Sequence, residues 1–469
     1  MRGAFVFDPN RCTGCQACEL ACSIENQLGP DRSWRSVLTF NERALPGVPL
    51  FHLSLACNHC EEPACMHSCP ALAYERDAVT GAVLIRSELC IGCKYCSWAC
   101  PYGAPQFEPD NGVMGTCTFC SHRLADGLKP ACASLCPTGA LDYAEVPAEL
   151  LTAELEGFPQ TDLGPSIRIL PRNDRVEQRE HPPTVIGAGE PRVEMPDETR
   201  GEPSIGLSSE WSLAGFTLLL ALLFALLSAG VVGTLSVPAP FYMAIAGVAA
   251  LLSLAHLGRP ARAWRAILNR RRSPVSREVL GFGALSGLGS LSLALPAGEF
   301  ATVAGWLGLG AGILALASAD RVYQPVFQEG RPALHSGGVL LTGLYLAGLL
   351  AGLAWLAAPV GVFKLYRYVA RHTAKPAAPK LAATRWPVAT ARLGLGFLVP
   401  GLAWAWTGIP LPIWAFAAAL VGEAEDRAEF YAALEIVSPA RQLRQDLEAR
   451  LVDYEAGPEI RSIASASSS

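Results

Sequence analysis

The sequence predicts an α+β domain rich in cysteine, followed by an all-α membrane domain of 7–8 helices. Three observations support this fold class. All 16 cysteines of the 469 residues lie before residue 137. Nearly every long uncharged stretch lies after residue 211. The net charge of −5 gives no case for nucleic-acid binding, so the asymmetry between the two halves is the informative feature.

The cysteines form four groups of four. The third group, CIGCKYCSWACP, is the most regular, and its spacing is typical of proteins that hold two iron–sulfur clusters. In this pattern the first three thiolates of a group bind one cluster, and the fourth binds the cluster of another group. Four groups of four therefore supply the ligands of four [4Fe–4S] clusters with no thiol left over.

Because no group completes its own cluster, the groups are expected to exchange their fourth cysteines in pairs. The exchange follows from the motif, whereas the choice of partner rests on nested symmetry: the first group with the fourth, the second with the third. The predicted ligand sets are Cys12, Cys15, Cys18 with Cys136; Cys117, Cys120, Cys132 with Cys22; Cys57, Cys60, Cys65 with Cys100; and Cys90, Cys93, Cys96 with Cys69.

Short strands are predicted at 4–7, 83–86 and 139–143, each beside a cysteine group. Strands that flank cysteine loops predict a doubled ferredoxin-like [4Fe–4S] domain over residues 1–143. Within the loops, Arg11, His59, Lys94 and His122 either tune the clusters through charge and hydrogen bonds or are solvated loop residues.

Disulfides and zinc are the alternative uses of so many cysteines. Disulfides need an oxidising compartment, and the first residues lack the order of a secretory signal peptide. Zinc sites draw on C-x2-C pairs at long separations, which suits only the fourth group. A membrane-bound zinc scaffold is therefore the structural alternative to a cluster protein.

After the cysteine-rich domain, residues 144–210 are rich in Pro, Glu and Arg and are predicted to form an extended linker. Residues 211–431 are predicted to form the membrane domain and 432–469 a polar C-terminal tail. A membrane-crossing helix needs about 20 apolar residues. The candidate stretches are 213–232, 241–257, 279–296, 301–319, 337–363 and 393–422. The last is interrupted by GIPLP, which predicts a hairpin, and 337–363 crosses once or twice.

Basic residues predict the orientation of these helices. Residues 259–277 carry seven Arg and 364–392 carry seven Lys or Arg, whereas 233–240, 297–300 and 408–412 carry none. Basic connections face the cytoplasm, so the cysteine-rich domain is predicted on the cytoplasmic side of the inner membrane. Seven spans would place 364–392 on the wrong side, whereas two short crossings or a re-entrant segment within 337–363 would satisfy the rule, and eight spans are favoured over seven.

Two ionisable residues at span ends predict a quinone site. His256 ends the second span and Glu278 opens the third, both at the basic side. Quinone chemistry needs a proton donor or acceptor at the ring oxygens, which a His and a carboxylate provide. Arg321 and Arg427, also near span ends, are expected to be interfacial anchors. Two haems are excluded by too few histidines, and one haem between His256 and His335 is a less favoured alternative.

The protein resembles a fusion of two subunits of the dimethyl sulfoxide reductase family, the four-cluster iron–sulfur subunit and the membrane anchor. The first resemblance rests on CTGCQACELAC, CNHCEEPACMHSCP, CIGCKYCSWACPYGAPQ and CTFC with CASLCPTGAL; the second on HLGRPARAW, SREVL and GEAEDRAEFY. It implies the cluster pairing given above, an eight-helix anchor without haem, and menaquinol chemistry at His256 and Glu278. It also implies a separate catalytic subunit that carries a molybdopterin cofactor. Nitrate reductase relatives carry Trp at the position of Cys93, and this protein keeps the cysteine.

The predicted function is that of an electron-transfer and membrane-anchor subunit of a molybdopterin oxidoreductase in anaerobic respiration. Nothing in the sequence provides a substrate-reducing centre, so the partner carries the substrate chemistry. The alternative is a membrane-tethered polyferredoxin that serves several partners without a quinone site of its own.

Overall fold

The computed structural model describes residues 1–29, 32–42, 48–173, 205–327, 330–373, 382–408 and 410–456. The cysteine-rich domain is built from short elements around its loops. They are β1 (Arg2–Phe7), α1 (Ala17–Glu25), β2 (Ser36–Phe40), β3 (Phe51–Leu55), α2 (Ala64–Ser68), β4 (Tyr74–Arg76), β5 (Val83–Ile85), α3 (Tyr95–Ala99), β6 (Gln106–Glu108), β7 (Val113–Gly115), α4 (Ser121–Ala125), α5 (Ala131–Ser134), β8 (Leu141–Val146) and β9 (Ile167–Ile169).

These strands form small sheets, as expected for a ferredoxin-like domain. The pairs β2–β3, β4–β5 and β6–β7 are antiparallel, and β1 lies between β8 and β9 in a three-stranded sheet. The predicted domain boundary at residue 143 is wrong, because β8 continues to Val146 and β9 pairs in parallel with β1 through Phe5 and Ile167. The predicted linker therefore begins inside the domain, which extends to at least residue 173.

The second half is helical. Its helices are α6 (Leu207–Val232), α7 (Ala239–Ala255), α8 (Pro274–Ala294), α9 (Glu299–Val322), α10 (Val339–Leu350), α11 (Ala354–Thr373), α12 (Ala382–Leu393), α13 (Val399–Thr407), α14 (Ile413–Ala432) and α15 (Pro439–Ala456). Among the described residues, four helical stretches are long and apolar enough to cross a membrane, or five if α7 and its bent continuation count as one span. The apolar helical region is confirmed, and the count of seven or eight crossings goes beyond what helix length and hydropathy establish.

The run 337–363 folds as two helices rather than one. Residues 351–353 form the turn between α10 and α11, and Gly352 adopts a φ of +69°, which favours glycine. This turn meets two other connections at the same end of the helices. Thr234 Oγ1 donates to Leu350 O at 3.4 Å, and Leu411 N donates to Leu349 O at 3.5 Å.

A cluster of charged side chains is buried between α10, α11, α12 and α14. Lys364, Arg392, Glu423 and Asp426 are each fully buried. Lys364 Nζ lies 2.9 Å from Glu423 Oε2, and Arg392 Nη2 lies 2.8 Å from Glu423 Oε1 and 3.2 Å from Asp426 Oδ2. Thr342 Oγ1 donates to the same Glu423 carboxylate at 2.7 Å. Lys364 and Arg392 are therefore interior residues of helices, not charges of a loop over 364–392.

Removal of one member of this charged cluster is expected to be strongly destabilising. In Lys364→Met the Glu423 carboxylate loses a buried cation, and breaking a buried pair costs about 3–5 kcal/mol. Thermal unfolding of the purified protein in detergent measures the loss. Arg367→Met on the same helix removes one hydrogen bond to Leu334 O and should cost about 1 kcal/mol. Equal stability of the two variants would contradict the buried pair.

The predicted polar tail contains a helix that packs on the cysteine-rich domain. On α15, Leu443 and Leu447 are buried in one cluster with Phe40 and Phe51. Gly157 N donates to Asp446 Oδ2 at 2.7 Å, and Arg450 pairs with Glu156. Leucines four residues apart lie on one helix face, which explains why this stretch docks. The rest of the predicted tail, 457–469, lies outside the described residues.

Candidate metal centres and the adjoining pocket

Two cavities of the cysteine-rich domain are each lined by four cysteines, and each has an empty volume of about 320 Å³. One is lined by Cys57, Cys60, Cys65 and Cys100. The other is lined by Cys69, Cys90, Cys93 and Cys96. The structure thus brings together the two ligand sets that the sequence assigned to the second and third groups.

The remaining eight cysteines also meet across groups. The thiols that act electrostatically on Cys12 are those of Cys18, Cys136 and Cys15. Cys132 and Cys22 act in the same way on Cys120, and both also act on Cys117. These cysteines come from the first and fourth groups, which nested symmetry pairs, while the largest effect of a thiol on Cys117 comes from Cys57 of the second group.

The four loops repeat one backbone conformation. In each group the second residue after the first cysteine has a positive φ: Gly14 (+69°), His59 (+41°), Gly92 (+67°) and Phe119 (+57°). In the second and third groups this residue donates its amide hydrogen to the cysteine sulfur at 3.4 Å. Amide–sulfur hydrogen bonds stabilise thiolate ligands and help set the potential of an iron–sulfur cluster.

Buried side-chain donors without a protein acceptor lie beside these cysteines. Within the described part of the sequence they include Asn58 Nδ2, His59 Nε2, Thr118 Oγ1, and Nε and Nη2 of Arg35. Burial lowers the pKa of His59 to about 3, so its ring is neutral. Since His59 Nδ1 accepts the Val83 amide hydrogen at 2.9 Å, Nε2 carries the proton.

A buried donor without an acceptor costs about 1–3 kcal/mol. The sulfur atoms of a [4Fe–4S] cluster would accept these hydrogen bonds. His59 itself lines the cavity of Cys57, Cys60, Cys65 and Cys100. The side chains around the cavities therefore fit iron–sulfur clusters.

Electrostatic effects between cysteines of different sets give an order of neighbouring sets, which is called the row below. Cys96 acts on Cys65, Cys57 acts on Cys117, and Cys132 acts on Cys18, so each set adjoins the next. The row begins with the set of Cys93 and ends with the set of Cys15, which is exposed on the surface.

A larger pocket adjoins the first set of this row. It has an empty volume of about 740 Å³, and its wall includes Cys93, His256 and Glu278. Tyr95, Trp98 and Tyr323 supply aromatic surface to the same pocket. The two predicted quinone-site residues are thus brought together, at the end of α7 and near the start of α8.

Three glycines hold the cysteine-rich domain against the loop between α7 and α8. A Cβ on Gly258 would lie 2.2 Å from Gly112 O, and one on Gly92 would lie 2.4 Å from the same oxygen. Gly258 N donates to Gly92 O at 3.3 Å, and Arg259 N donates to Ile91 O at 3.1 Å. Only residues without a side chain allow this close approach of backbones.

Arginine and asparagine side chains of that loop bind backbone carbonyls of the cysteine-rich domain. Arg262 Nη1 donates to Ser87 O at 2.7 Å and to Cys90 O at 3.0 Å. Asn269 Nδ2 donates to Cys69 O at 2.9 Å. In the sequence these arginines served only as a signal of orientation. The sequence did not show that these arginines bind the cysteine-rich domain, because backbone carbonyl acceptors occur at every residue. Gly258 in HLGRPARAW was the one hint of a close contact between backbones.

Arg427 is not the interfacial anchor that the sequence predicts. Its side chain is buried over the rings of Phe430 and Tyr323, at 4.3 and 4.9 Å from the ring centroids. It donates to Thr217 Oγ1 and Gly337 O, both at 3.1 Å. Arg427 therefore joins α6 and α14 to the segment before α10, behind the pocket of Glu278.

His335, the second histidine of the haem alternative, is engaged by protein groups. Its Nδ1 accepts the amide hydrogen of Gly337 at 2.9 Å, and Arg371 Nη1 contacts the Nε2 side of the ring. The ring also packs at 5.1 Å, centroid to centroid, on Phe430. Both ring nitrogens thus have partners in this structure.

Comparison with known proteins gives matches for the cysteine-rich part of the sequence. A family model described as a 4Fe-4S dicluster domain matches residues 48–146. A component of the anaerobic dimethyl sulfoxide reductase of Haemophilus influenzae is 39% identical over 173 residues, which cover 34% of this protein and 83% of that one. The corresponding component from Escherichia coli is 41% identical over 150 residues, covering 30% and 73%. A component of the sulfite dehydrogenase of Allochromatium vinosum is 37% identical over 164 residues, covering 30% and 68%.

Proposed function

Because the protein belongs to the family of dimethyl sulfoxide reductase iron–sulfur subunits, which transfer electrons, we propose that it is the electron-transfer and membrane-anchor subunit of a molybdopterin oxidoreductase. In this role it passes electrons between menaquinol in the membrane and a separate catalytic subunit. The observation that carries the proposal is the position of Cys93. This cysteine lines both a four-cysteine cavity and the pocket of His256 and Glu278.

The sixteen cysteines are proposed to hold four [4Fe–4S] clusters in the sets predicted from the sequence. When bound, the clusters supply four one-electron carriers in a row. The row of neighbouring sets supports transfer from the set of Cys93, through those of Cys57 and Cys117, to that of Cys15. The zinc alternative has no comparable support. The sets of Cys57 and Cys93 each surround an empty cavity, whereas a zinc ion is a single atom bound directly by its four ligands.

In the pocket, the protein positions a quinol and receives its protons. Oxidation of a quinol to a quinone releases two electrons and two protons. His256 and Glu278, which both line the pocket, are proposed to accept the protons from the two hydroxyl groups. Trp98 and Tyr323, whose ring centroids lie 5.9 Å apart, offer flat aromatic surface to the quinone ring. The electrons leave singly on the side of Cys93.

Eight crossings of the membrane are proposed, by α6, α7, α8, α9, α10, α11, α12 with α13, and α14. The contacts of Thr234, Leu350 and Leu411 support this arrangement, because they join three connections at one end of the helices. The loop with Arg259 and Arg262 lies at the other end, beside the cysteine-rich domain. Basic connections face the cytoplasm. We therefore assign residues 1–173 to a cytoplasmic cluster domain and 205–432 to an anchor in the inner membrane.

The far end of the row is the proposed contact with the molybdopterin-containing subunit. Cys15 is exposed there, and the adjacent helix α1 exposes Leu20 (62%) and Ile24 (69%). Exposed apolar residues in a patch mark protein interaction sites. The names of the relatives include both a reductase and a dehydrogenase, so a relay of this kind serves either direction of electron flow.

The proposal is tested by reducing the purified, oxidised protein with menadiol under anaerobic conditions. The clusters are expected to be reduced, with about 16 irons per molecule as four [4Fe–4S] clusters require. Absorbance and electron paramagnetic resonance (EPR) spectra follow the reduction, with dithionite as the control reductant. Reduction by dithionite but not by menadiol would instead favour a polyferredoxin without a quinone site.

A further inference from the structure

Arg35 is a buried cation inside the cluster domain. It precedes β2, and only 3% of its surface is exposed. Its Nη1 donates to Ser54 Oγ at 3.1 Å and to Ser54 O at 3.3 Å. The guanidinium lies 4.4 Å over the ring of Phe5. Within the described residues, its Nε and Nη2 are buried without any acceptor.

Cysteines, rather than a paired carboxylate, are the main groups that can balance the charge of Arg35. Among the described residues, Arg35 forms no ion pair with a carboxylate within 4.0 Å. The positive charge of Arg35 acts to lower the pKa of the nearby Glu19 carboxyl group. The Glu19 side chain accepts the amide hydrogen of Val37. The largest electrostatic effects on Arg35 itself come from four cysteines: Cys132, Cys117, Cys18 and Cys22.

These four cysteines belong to two different ligand sets. Cys18 belongs to the set with Cys15 and Cys136, whereas the other three belong to the set with Cys120. Ser54 links the guanidinium to the first set, because its Oγ lies 3.1 Å from Arg35 Nη1 and 3.3 Å from Cys18 Sγ. Arg35 therefore lies between the last two cluster sites of the proposed row.

An isolated buried charge is costly unless an opposite charge and hydrogen bonds compensate it. A thiolate-ligated iron–sulfur cluster offers both, since it is negative and carries sulfur acceptors. Reduction adds one further negative charge to a cluster, and a nearby buried cation favours the reduced form. Charge and hydrogen bonds at the sulfurs are among the factors that set cluster potentials.

We propose that Arg35 is a positioning residue that raises the reduction potentials of two clusters together, those held by the sets of Cys15 and Cys120. Its free Nε and Nη2 groups donate to the sulfur atoms of these sites. The inference rests on the proposed function, because it requires clusters in these two sets. One buried charge then sets the potentials of the last two clusters of the relay, at the end that faces the proposed catalytic subunit.

The test is an EPR-monitored redox titration of the holoprotein, comparing Arg35→Met with Arg35→Lys. The methionine variant is expected to lower two of the four midpoint potentials by about 59 mV or more, a tenfold change in a one-electron equilibrium. The lysine variant keeps the charge and should retain potentials closer to those of the unmodified protein. Arg35→Gln, which is neutral but polar, is expected to lower the same two and replaces Arg35→Met if that variant fails to fold.

Arg32→Met provides the matched control. Arg32 is three residues away, partly exposed, and paired with Asp110 at 2.6 Å, so all four potentials should stay unchanged. Unchanged potentials in a neutral Arg35 variant with full iron content would overturn the inference, as would an equal shift of all four clusters. Absence of four cluster signals from the unmodified protein would instead overturn the proposed function.

Discussion

Replacement of Glu278 by Gln is expected to slow the reduction of the clusters by menadiol by about 10²-fold or more, the contribution of a positioned acid–base group. Gln keeps the size of the side chain, and it does not accept a proton from a quinol hydroxyl. Glu278 lines the pocket that Cys93 and His256 also line. Stopped-flow absorbance at the clusters measures the rate, and His256→Ala should act in the same direction.

Two controls isolate the proton-accepting role. Reduction by dithionite, which does not use the pocket, should be unchanged in Glu278→Gln. Glu299→Gln makes the same chemical change at an exposed residue that begins α9, and should leave the menadiol rate intact. Menadiol reduction of Glu278→Gln at the unmodified rate would show that this carboxyl group takes no part.

Gly258→Ala is expected to cut electron transfer from the pocket to the clusters while leaving the clusters bound. The added methyl group would lie 2.2 Å from Gly112 O, and a backbone carbonyl has no rotamer by which to move away. The loop and the cysteine-rich domain must then separate, which moves Cys93 relative to the quinol. A displacement of about 1 Å at a reacting centre can cost of the order of 10²-fold in rate.

Gly247→Ala on α7 is the matched control for Gly258→Ala. Nothing lies within 4 Å of a Cβ built on Gly247, so the same substitution there should leave the rate unchanged. Iron content and dithionite-reduced EPR spectra should be alike in both variants. Rapid menadiol reduction of Gly258→Ala would mean that the close glycine contact does not position the pocket.

The sequence predicts the cysteine sets because ligand spacing in this motif follows the geometry of a cluster, and the structure brings two of the sets together around cavities. The sequence also indicates His256 and Glu278, because ionisable residues at the ends of apolar spans are rare, and the structure places both in the wall of one pocket. Strand β9 was missed since three residues carry no periodic signal. The hydropathy of 337–363 likewise does not show the turn at Gly352, although the distribution of basic residues already favoured two crossings in this run.

Buried charge was the largest gap between sequence and structure. Lys364 and Arg392 look like loop residues in a linear sequence, and only folding brings Glu423 and Asp426 to them. Arg35 looks like an ordinary surface cation, because its neighbours Cys18 and Cys132 are far apart in the sequence. Sequence patterns show local periodicity well, whereas pairing of distant polar groups depends on the tertiary fold.

Helix α15 has a consequence for how the protein is made. Its residues Leu443 and Leu447 pack on Phe40 and Phe51, so a helix synthesised after the apolar helices completes a contact with a domain synthesised before them. During translation, domains near the amino terminus fold first. The cysteine-rich domain can therefore fold before α15 is made, while the apolar helices between them are being synthesised. Only after α15 is made does the cysteine-rich domain have its contacts with both α15 and the loop between α7 and α8.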